Sequence, residues 1–290
     1  MRYEDHLKGR PTATQLKTVW NTIGDHLGHY HPLNVDDTAV AGYLQKRREQ
    51  FLKRYGREVS DGTLYNEVNV LQSVLNFAKK KRIIIEDPHK LTKPTKPDPV
   101  DRWLNHDEIN LLLNESMQTP HLYVAVVLML STAGRIGAIL DLTWDRVDME
   151  NKEINLKLKG AGTRKNRANV PMNNGTYELL REWRTTCTSD YVVEFKSGRV
   201  HSIQNSFKKA VKRAKLENVT PHVLRHTAAV HMVVAGCSMS KVSQYLGHSS
   251  IKVTESVYAR FAPSHLREES EAVDFTIGRS IPLLSPAFTD

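Results

Sequence analysis

HKLTKPTKPDPVDRW, residues 89–103, carries prolines at 94, 97 and 99. Each removes a backbone donor and disfavours helix in the residue before it, so the stretch reads as an extended connector beginning near residue 90. The two sides of it differ in pattern. Upstream, TATQLKTVWNTIGDHLG (12–28) spaces Leu16, Val19, Trp20, Ile23 and Leu27 along one helical face, with Gly28 as a stop. DDTAVAGYLQKRREQFLKRYG (36–56) sends Val40, Leu44 and Phe51 inward and Lys46, Arg47, Lys53 and Arg54 outward. SDGTLYNEVNVLQSVLNFAKKKR (60–82) repeats the pattern with Leu64, Val68, Leu71, Leu75 and Ala78, and ends in the basic cluster Lys79, Lys80, Lys81 and Arg82.

Downstream the patterning is mixed. LNHDEINLLLNES (104–116) offers Asn105 or Asp107 as a helix cap, and residues 121–132 form an apolar run fit for a buried helix. KEINLKLK (152–159) alternates Ile154, Leu156 and Leu158 with polar residues, the period of a strand covered on one face. RANVPM (167–172) is its expected hairpin partner across the basic loop GAGTRKNR, and DYVVEF (190–195) is a further short strand. From Ser202 the chain returns to helix. The expected fold is mainly α with a small antiparallel β-sheet: a helical domain over residues 1–95, a mixed α/β domain over 96–263, and a tail over 264–290.

Composition narrows the function. The 290 residues carry a net charge of +9, and between Lys152 and Arg225 sixteen Lys or Arg stand against six Asp or Glu. Such a surface suits a polyanion. The alternative is a solvated basic face on an ordinary enzyme. Two cysteines, Cys187 and Cys237, give no disulfide framework and fit a reducing compartment. The N-terminus lacks the apolar run of a signal peptide, and LYVAVVLML (122–130) is too short to span a bilayer. A cytoplasmic protein without a membrane partner is expected.

Four polar clusters lie in the second domain. In STAGRIGAILDLTW, Arg135 follows the small pair Ala133-Gly134 at the end of the apolar helix; its bland alternative is an ion pair with Asp141 or Asp145. The hairpin loop offers Lys159, Arg164, Lys165 and Arg167, and a lysine there can serve as a point charge or an acid at a phosphate. In TPHVLRHTAAVH, Thr220 and Pro221 start a helix that puts His222 and Arg225 on one face near its positive end. His222 and His226 also have helical metal-ligand spacing, but no acidic third ligand is near, so no metal is expected. LGHSSIKVTESVYARF places His248 just past Gly247, and Tyr258, which reads as exposed, on the next helix. A phenol of ordinary pKa near 10 needs about 4 kcal/mol of help to act as a nucleophile at neutral pH, and cations around a phosphate could supply it.

In this order, TAGR, basic hairpin, HVLRHT, LGH and Y, the second domain resembles the tyrosine recombinases, the family of phage-type integrases, Xer recombinases and Cre. The first domain resembles their core-site-binding domain. The resemblance implies that Arg135 and Arg225 bind the nonbridging phosphate oxygens, that His222 is a general base or phosphate donor, that His248 hydrogen-bonds the phosphate, and that Tyr258 attacks it. The position before Val170-Pro171 implies Lys165 as the acid, whereas ungapped spacing from Arg135 points to Lys159. Ala138 stands where relatives carry an acidic residue; Asp141 is a candidate substitute. No cofactor is implied. The implied partners are double-stranded DNA recombination sites, three further copies in a synaptic tetramer, and accessory DNA-bending or directionality proteins. The implied location is the nucleoid, and the tail is implied to dock on a neighbouring copy. The first helix lies near the start of the chain, so no further arm-binding domain is expected. Alternatives are Xer-like dimer resolution, a DNA-binding protein without catalysis, and a type IB topoisomerase-like enzyme.

Overall fold

The computed structural model describes residues 12–96, 101–157 and 169–262. Lys159, Arg164, Lys165 and Arg167, and the tail from residue 264, lie outside these. The chain forms two units, dividing between Val100 and Asp101.

Among its described residues the first unit holds three α-helices, α1 (Thr12–Leu27), α2 (Asp37–Tyr55) and α3 (Asp61–Lys80). Asp36 starts α2 by accepting the Ala39 N–H at 2.8 Å, and Ser60 does the same for Thr63 in α3. Gly56, at φ +64°, ends α2 in a left-handed turn that other residues resist. Ile23, Leu27, Val40, Tyr43, Val68, Leu71 and Leu75 meet in one apolar core. Trp20, expected inside, is 41% exposed, and Phe77 is buried where Ala78 was expected to be.

The larger departure is Arg47, expected outward. Glu67 is buried in α3, where it accepts a hydrogen bond from the Tyr43 hydroxyl at 2.7 Å. Its carboxylate draws Arg47 inward into a two-nitrogen contact at 3.0–3.3 Å. A buried acid among apolar positions leaves no periodic trace, so its partner could not be read from α2 alone. Lys46, Lys53, Arg54, Lys80, Lys81 and Arg82 are exposed. Lys79 donates to the Ile85 carbonyl and pairs with Asp87.

The proline-rich connector is anchored at its start. Leu91 is buried in the first core and its N–H donates to Gln72, while the Thr92 N–H donates to Asp37. Lys93 is held as well, its ammonium donating to Asn69 Oδ1 at 2.8 Å.

The second unit opens with α4 (His106–Ser116), started by a reciprocal capping box between Asn105 and Glu108. α5 (Pro120–Thr132) is the central helix, with Leu122, Val124, Ala125, Val126, Leu128 and Met129 at most 1% exposed. A short α6 (Ile136–Leu140) follows. The antiparallel sheet runs β1 (Val147–Asp148), β2 (Glu153–Asn155), β3 (Asn169–Pro171), with Ile154 opposite both Val147 and Val170. β2 is shorter than the alternation implied, because the Asn155 side chain takes the Lys157 N–H at 2.9 Å and turns the chain out of the ladder. Leu156 is nevertheless buried, as the pattern required.

α7 (Asn174–Arg184) leads to the small hairpin β4 (Glu194–Phe195) and β5 (Gly198–Arg199). In DYVVEF the last two residues pair with β5, Tyr191 forms an antiparallel bridge with Thr143, and Val192 and Val193 enter the core. Four α-helices follow among the described residues: α8 (Gln204–Arg213), α9 (Pro221–Val234), α10 (Met239–Leu246) and α11 (Ile251–Tyr258). α9 packs along α5 and also against α10, which brings three of the four polar clusters to one place.

Candidate active site

The turn between α5 and α6 is built by small residues. Ala133 is fully buried at φ +49°, a left-handed conformation that costs an alanine about 1 kcal/mol. A Cβ on Gly134 would lie 2.7 Å from Ile139 Cδ1 and 2.9 Å from Thr132 Oγ1, so a larger residue would have to displace buried side chains. This turn leaves Arg135 at the start of α6, partly exposed, and directs the Ala133 carbonyl toward α9.

Arg225, on the second turn of α9, meets that carbonyl. It is 5% exposed and donates to Ala133 O at 2.6 Å and to Leu246 O at 2.8 Å. The Leu246 carbonyl is free for it because Gly247, at φ +62°, ends α10 in a left-handed turn. The same turn sets His248 beside Arg225, whose guanidinium donates to the imidazole Nε2 at 3.1 Å. Nδ1 of His248 lies 2.9 Å from the Thr254 hydroxyl on α11. A small cavity beneath the two arginines is lined by Gly134, Ala138, Leu156 and Tyr245.

Tyr258 ends α11. Contrary to its exposed reading, it is 6% exposed, packed with Ala228, Val233, Val242 and Leu246. The helix places its ring inward together with Thr254, one turn earlier, while Val253 and Val257 face out. The His226 ring lies against it at 5.1 Å between centroids. His226 Nε2 is 3.5 Å from Asp101, which also pairs with Arg260 at 2.6 Å. His222 is exposed on α9, one turn before Arg225.

The electrostatics follow from this packing. Burial, with the charge of Arg135 second, depresses Arg225 to about 10, still cationic at neutral pH; the nearby Tyr258 opposes the shift. Burial raises the Tyr258 phenol and the charge of Arg225 lowers it, burial being the larger. His248 is pushed down to about 4, first by burial, then by Arg225 and Arg135. It is therefore neutral at pH 7. Among the described residues, Arg225 donates to two carbonyls and one imidazole, and to no carboxylate. Burying a cation without a counter-charge costs several kcal/mol, and an anion bound here would relieve it.

The depressed His248 pKa predicts a pH effect on stability. Below pH 6.5 the unfolded ring takes a proton that the folded ring refuses until about pH 4. Stability should accordingly fall as pH drops through that window, by about 1–2 kcal/mol after allowance for solvent screening. Urea unfolding at pH 7 and pH 4.5 measures it, and His248→Gln should lose less stability than the parent between the two. An equal loss in both proteins would remove His248 as the cause.

Arg135, Arg225, His248 and Tyr258 thus come together, with His222 on the same helix as Arg225. Asp141 accepts from Arg199, and Asp145 accepts from the Thr143 hydroxyl. Ala138 is buried, and its methyl leaves space under the arginines where an acid would otherwise reach. Sequence reasoning missed Thr254, the Ala133 and Leu246 carbonyls, and the His226 platform. Thr254 alone carried a signal, its spacing of four before Tyr258 on an amphipathic helix. Among the described residues no group of three or more His, Cys, Asp or Glu could hold a metal, and no helix is long and apolar enough to cross a membrane.

This mainly helical domain with its small antiparallel sheet has the fold of the tyrosine recombinases. The chain belongs to the phage integrase family, whose model matches residues 102–265. It is 31% identical over 247 residues to the integrase of Escherichia phage 186, covering 80% of this chain and 67% of that one. It is 28% identical over 288 residues to the integrase of Haemophilus phage HP1, covering 96% and 76%. A tyrosine recombinase XerC from Erythrobacter litoralis is 27% identical over 235 residues, covering 75% and 76%. In fold, the Tn1549 transposon integrase in complex with a circular intermediate DNA gives a TM-score of 0.70 at 19% identity, over 94% of both chains. A lambda integrase dimer bound to a core site gives 0.67 at 17%, over 87% of this chain and 94% of that one. The protein is a site-specific recombinase that cuts and rejoins DNA through a phosphotyrosyl link.

Proposed function

We propose that this recombinase integrates or excises a phage or other mobile element, with Tyr258 as nucleophile and Arg135, His222, Arg225 and His248 around the scissile phosphate. The observation that carries the assignment is the buried Arg225 guanidinium, held by carbonyls rather than a carboxylate and adjoining both Arg135 and Tyr258. Strand cleavage passes through five-coordinate phosphorus with added negative charge on its oxygens, so fixed cations lower the barrier directly. The Tyr258 oxygen bonds to phosphorus as the bond to the 5′-oxygen breaks. His222 takes the phenol proton, and Lys165 on the β2–β3 hairpin gives one to the leaving oxygen. A 5′-hydroxyl of a partner strand reverses the step, so one phosphodiester replaces another and no nucleotide energy source is consumed.

The integrative role is supported by the phage 186 and HP1 relatives, while the XerC likeness keeps dimer resolution as the second reading. The first unit would bind core-site DNA through Lys46, Lys53, Arg54, Lys79, Lys80, Lys81 and Arg82, and Arg47 would support that surface through Glu67. A tetramer on two DNA sites, with DNA-bending or directionality proteins, belongs to the same proposal. Nicked duplexes of randomised core sequence provide the test. Incubation is expected to give an SDS-stable protein–DNA adduct, undiminished by EDTA, with the DNA mapped to the peptide that contains Tyr258. Attachment to another residue, or loss of the adduct in EDTA, would overturn the assignment.

A further inference from the structure

The proton on His248 can be located from its partners. A guanidinium only donates, so His248 Nε2, 3.1 Å from Arg225, accepts. The ring's single proton is then on Nδ1, directed at Thr254 Oγ1 2.9 Å away. Hydrogen-bonding a phosphate oxygen requires the opposite tautomer, with the proton on Nε2 and a lone pair on Nδ1. A carboxylate or carbonyl next to Nδ1 would forbid that exchange, because neither can donate. A hydroxyl can reverse its role.

We propose that Thr254 is a positioning residue for the strand-transfer reaction, switching from acceptor to donor so that His248 trades tautomers when phosphate displaces Arg225 from Nε2. The inference rests on the reading of His248 as a phosphate donor. The exchange conserves protons: the ring carries one throughout, and it moves from Nδ1 to Nε2 through solvent while the Thr254 hydroxyl rotates toward Nδ1. The alternative, a doubly protonated ring with Thr254 accepting throughout, is opposed by burial and by the two neighbouring arginines, which hold His248 neutral well below pH 7. Thr254 is fully buried, so the fold holds its hydroxyl at Nδ1. It also sits on α11 one turn before Tyr258, and the Thr254–His248 contact ties the turn after α10 to the helix that carries the nucleophile.

Thr254→Val keeps the side-chain shape and removes the hydroxyl. It is expected to slow adduct formation on a nicked duplex by about 10–100-fold at saturating protein, the scale of one lost positioned proton-transfer partner. DNA affinity should not change, and Thr254→Ser should restore the rate to within about threefold. In a His248→Ala background Thr254→Val should add nothing. A normal rate in Thr254→Val with a slow His248→Ala would overturn the role of Thr254; a normal rate in His248→Ala would instead overturn the reading of His248. Nitrogen-15 histidine spectra of Tyr258→Phe protein, free and on an uncleaved duplex, should show the proton on Nδ1 and then on Nε2. Protons on both nitrogens in the complex would overturn the exchange.

Discussion

Tyr258→Phe is expected to abolish the covalent adduct while leaving the fold and DNA binding in place. The ring is packed against Ala228, Val233, Val242 and Leu246 and stacked on His226, and phenylalanine fills that space unchanged. Stability should therefore shift by less than about 1 kcal/mol, as for other swaps that conserve volume. Loss of the proposed attacking oxygen removes the reaction pathway itself, so the rate should drop by more than about 10⁴-fold. Burial dominates over the charge of Arg225 and keeps the phenol protonated in the free protein. The proton must then leave as the bond to phosphorus forms, the task proposed for His222. Gel-shift affinity and adduct yield, measured on the same nicked duplex, check both halves. An adduct in the phenylalanine protein would place the nucleophile elsewhere.

Arg225→Gln should be damaging twice over. It strips the buried carbonyls of Ala133 and Leu246 of a charged donor, and each acceptor left unpaired costs about 1–3 kcal/mol. It also removes a fixed cation from the proposed phosphate site, a loss of about 10²–10³-fold for a single donor to a developing oxyanion. Arg225→Lys separates these effects. It keeps the charge, but a single ammonium lacks the planar fork that spans two carbonyls and an imidazole. Cleavage in the lysine protein should still be at least about 10²-fold down, with a smaller loss of stability than in the glutamine protein. Urea unfolding and single-turnover adduct formation separate the two contributions. A lysine protein that cleaves at the parent rate would mean that charge alone matters at this position.

The architecture was legible because each unit announces itself locally. Prolines at 94, 97 and 99 interrupt helix, amphipathic faces repeat on either side of them, and Ile154, Leu156 and Val170 alternate around a basic loop. Strand ends were less legible, since Asn155 ends β2 through a side-chain contact that no apolar pattern records.

Of the site, the order and types of the reactive residues could be read from the chain, because guanidinium, imidazole and phenol have few alternatives in phosphate chemistry. Their mutual arrangement could not. Glu67 turning Arg47 inward, the Ala133 and Leu246 carbonyls seating Arg225, and Arg225 fixing the His248 tautomer all join residues 20 or more apart. Backbone acceptors have no signature in sequence, and burial is a property of the packed whole. The amino-acid order therefore determined which groups could act on a phosphate; packing α9 against α5 and α10 decided that Arg225 would be buried and fixed, that His248 would be neutral, and that Tyr258 would lie beneath the surface beside them.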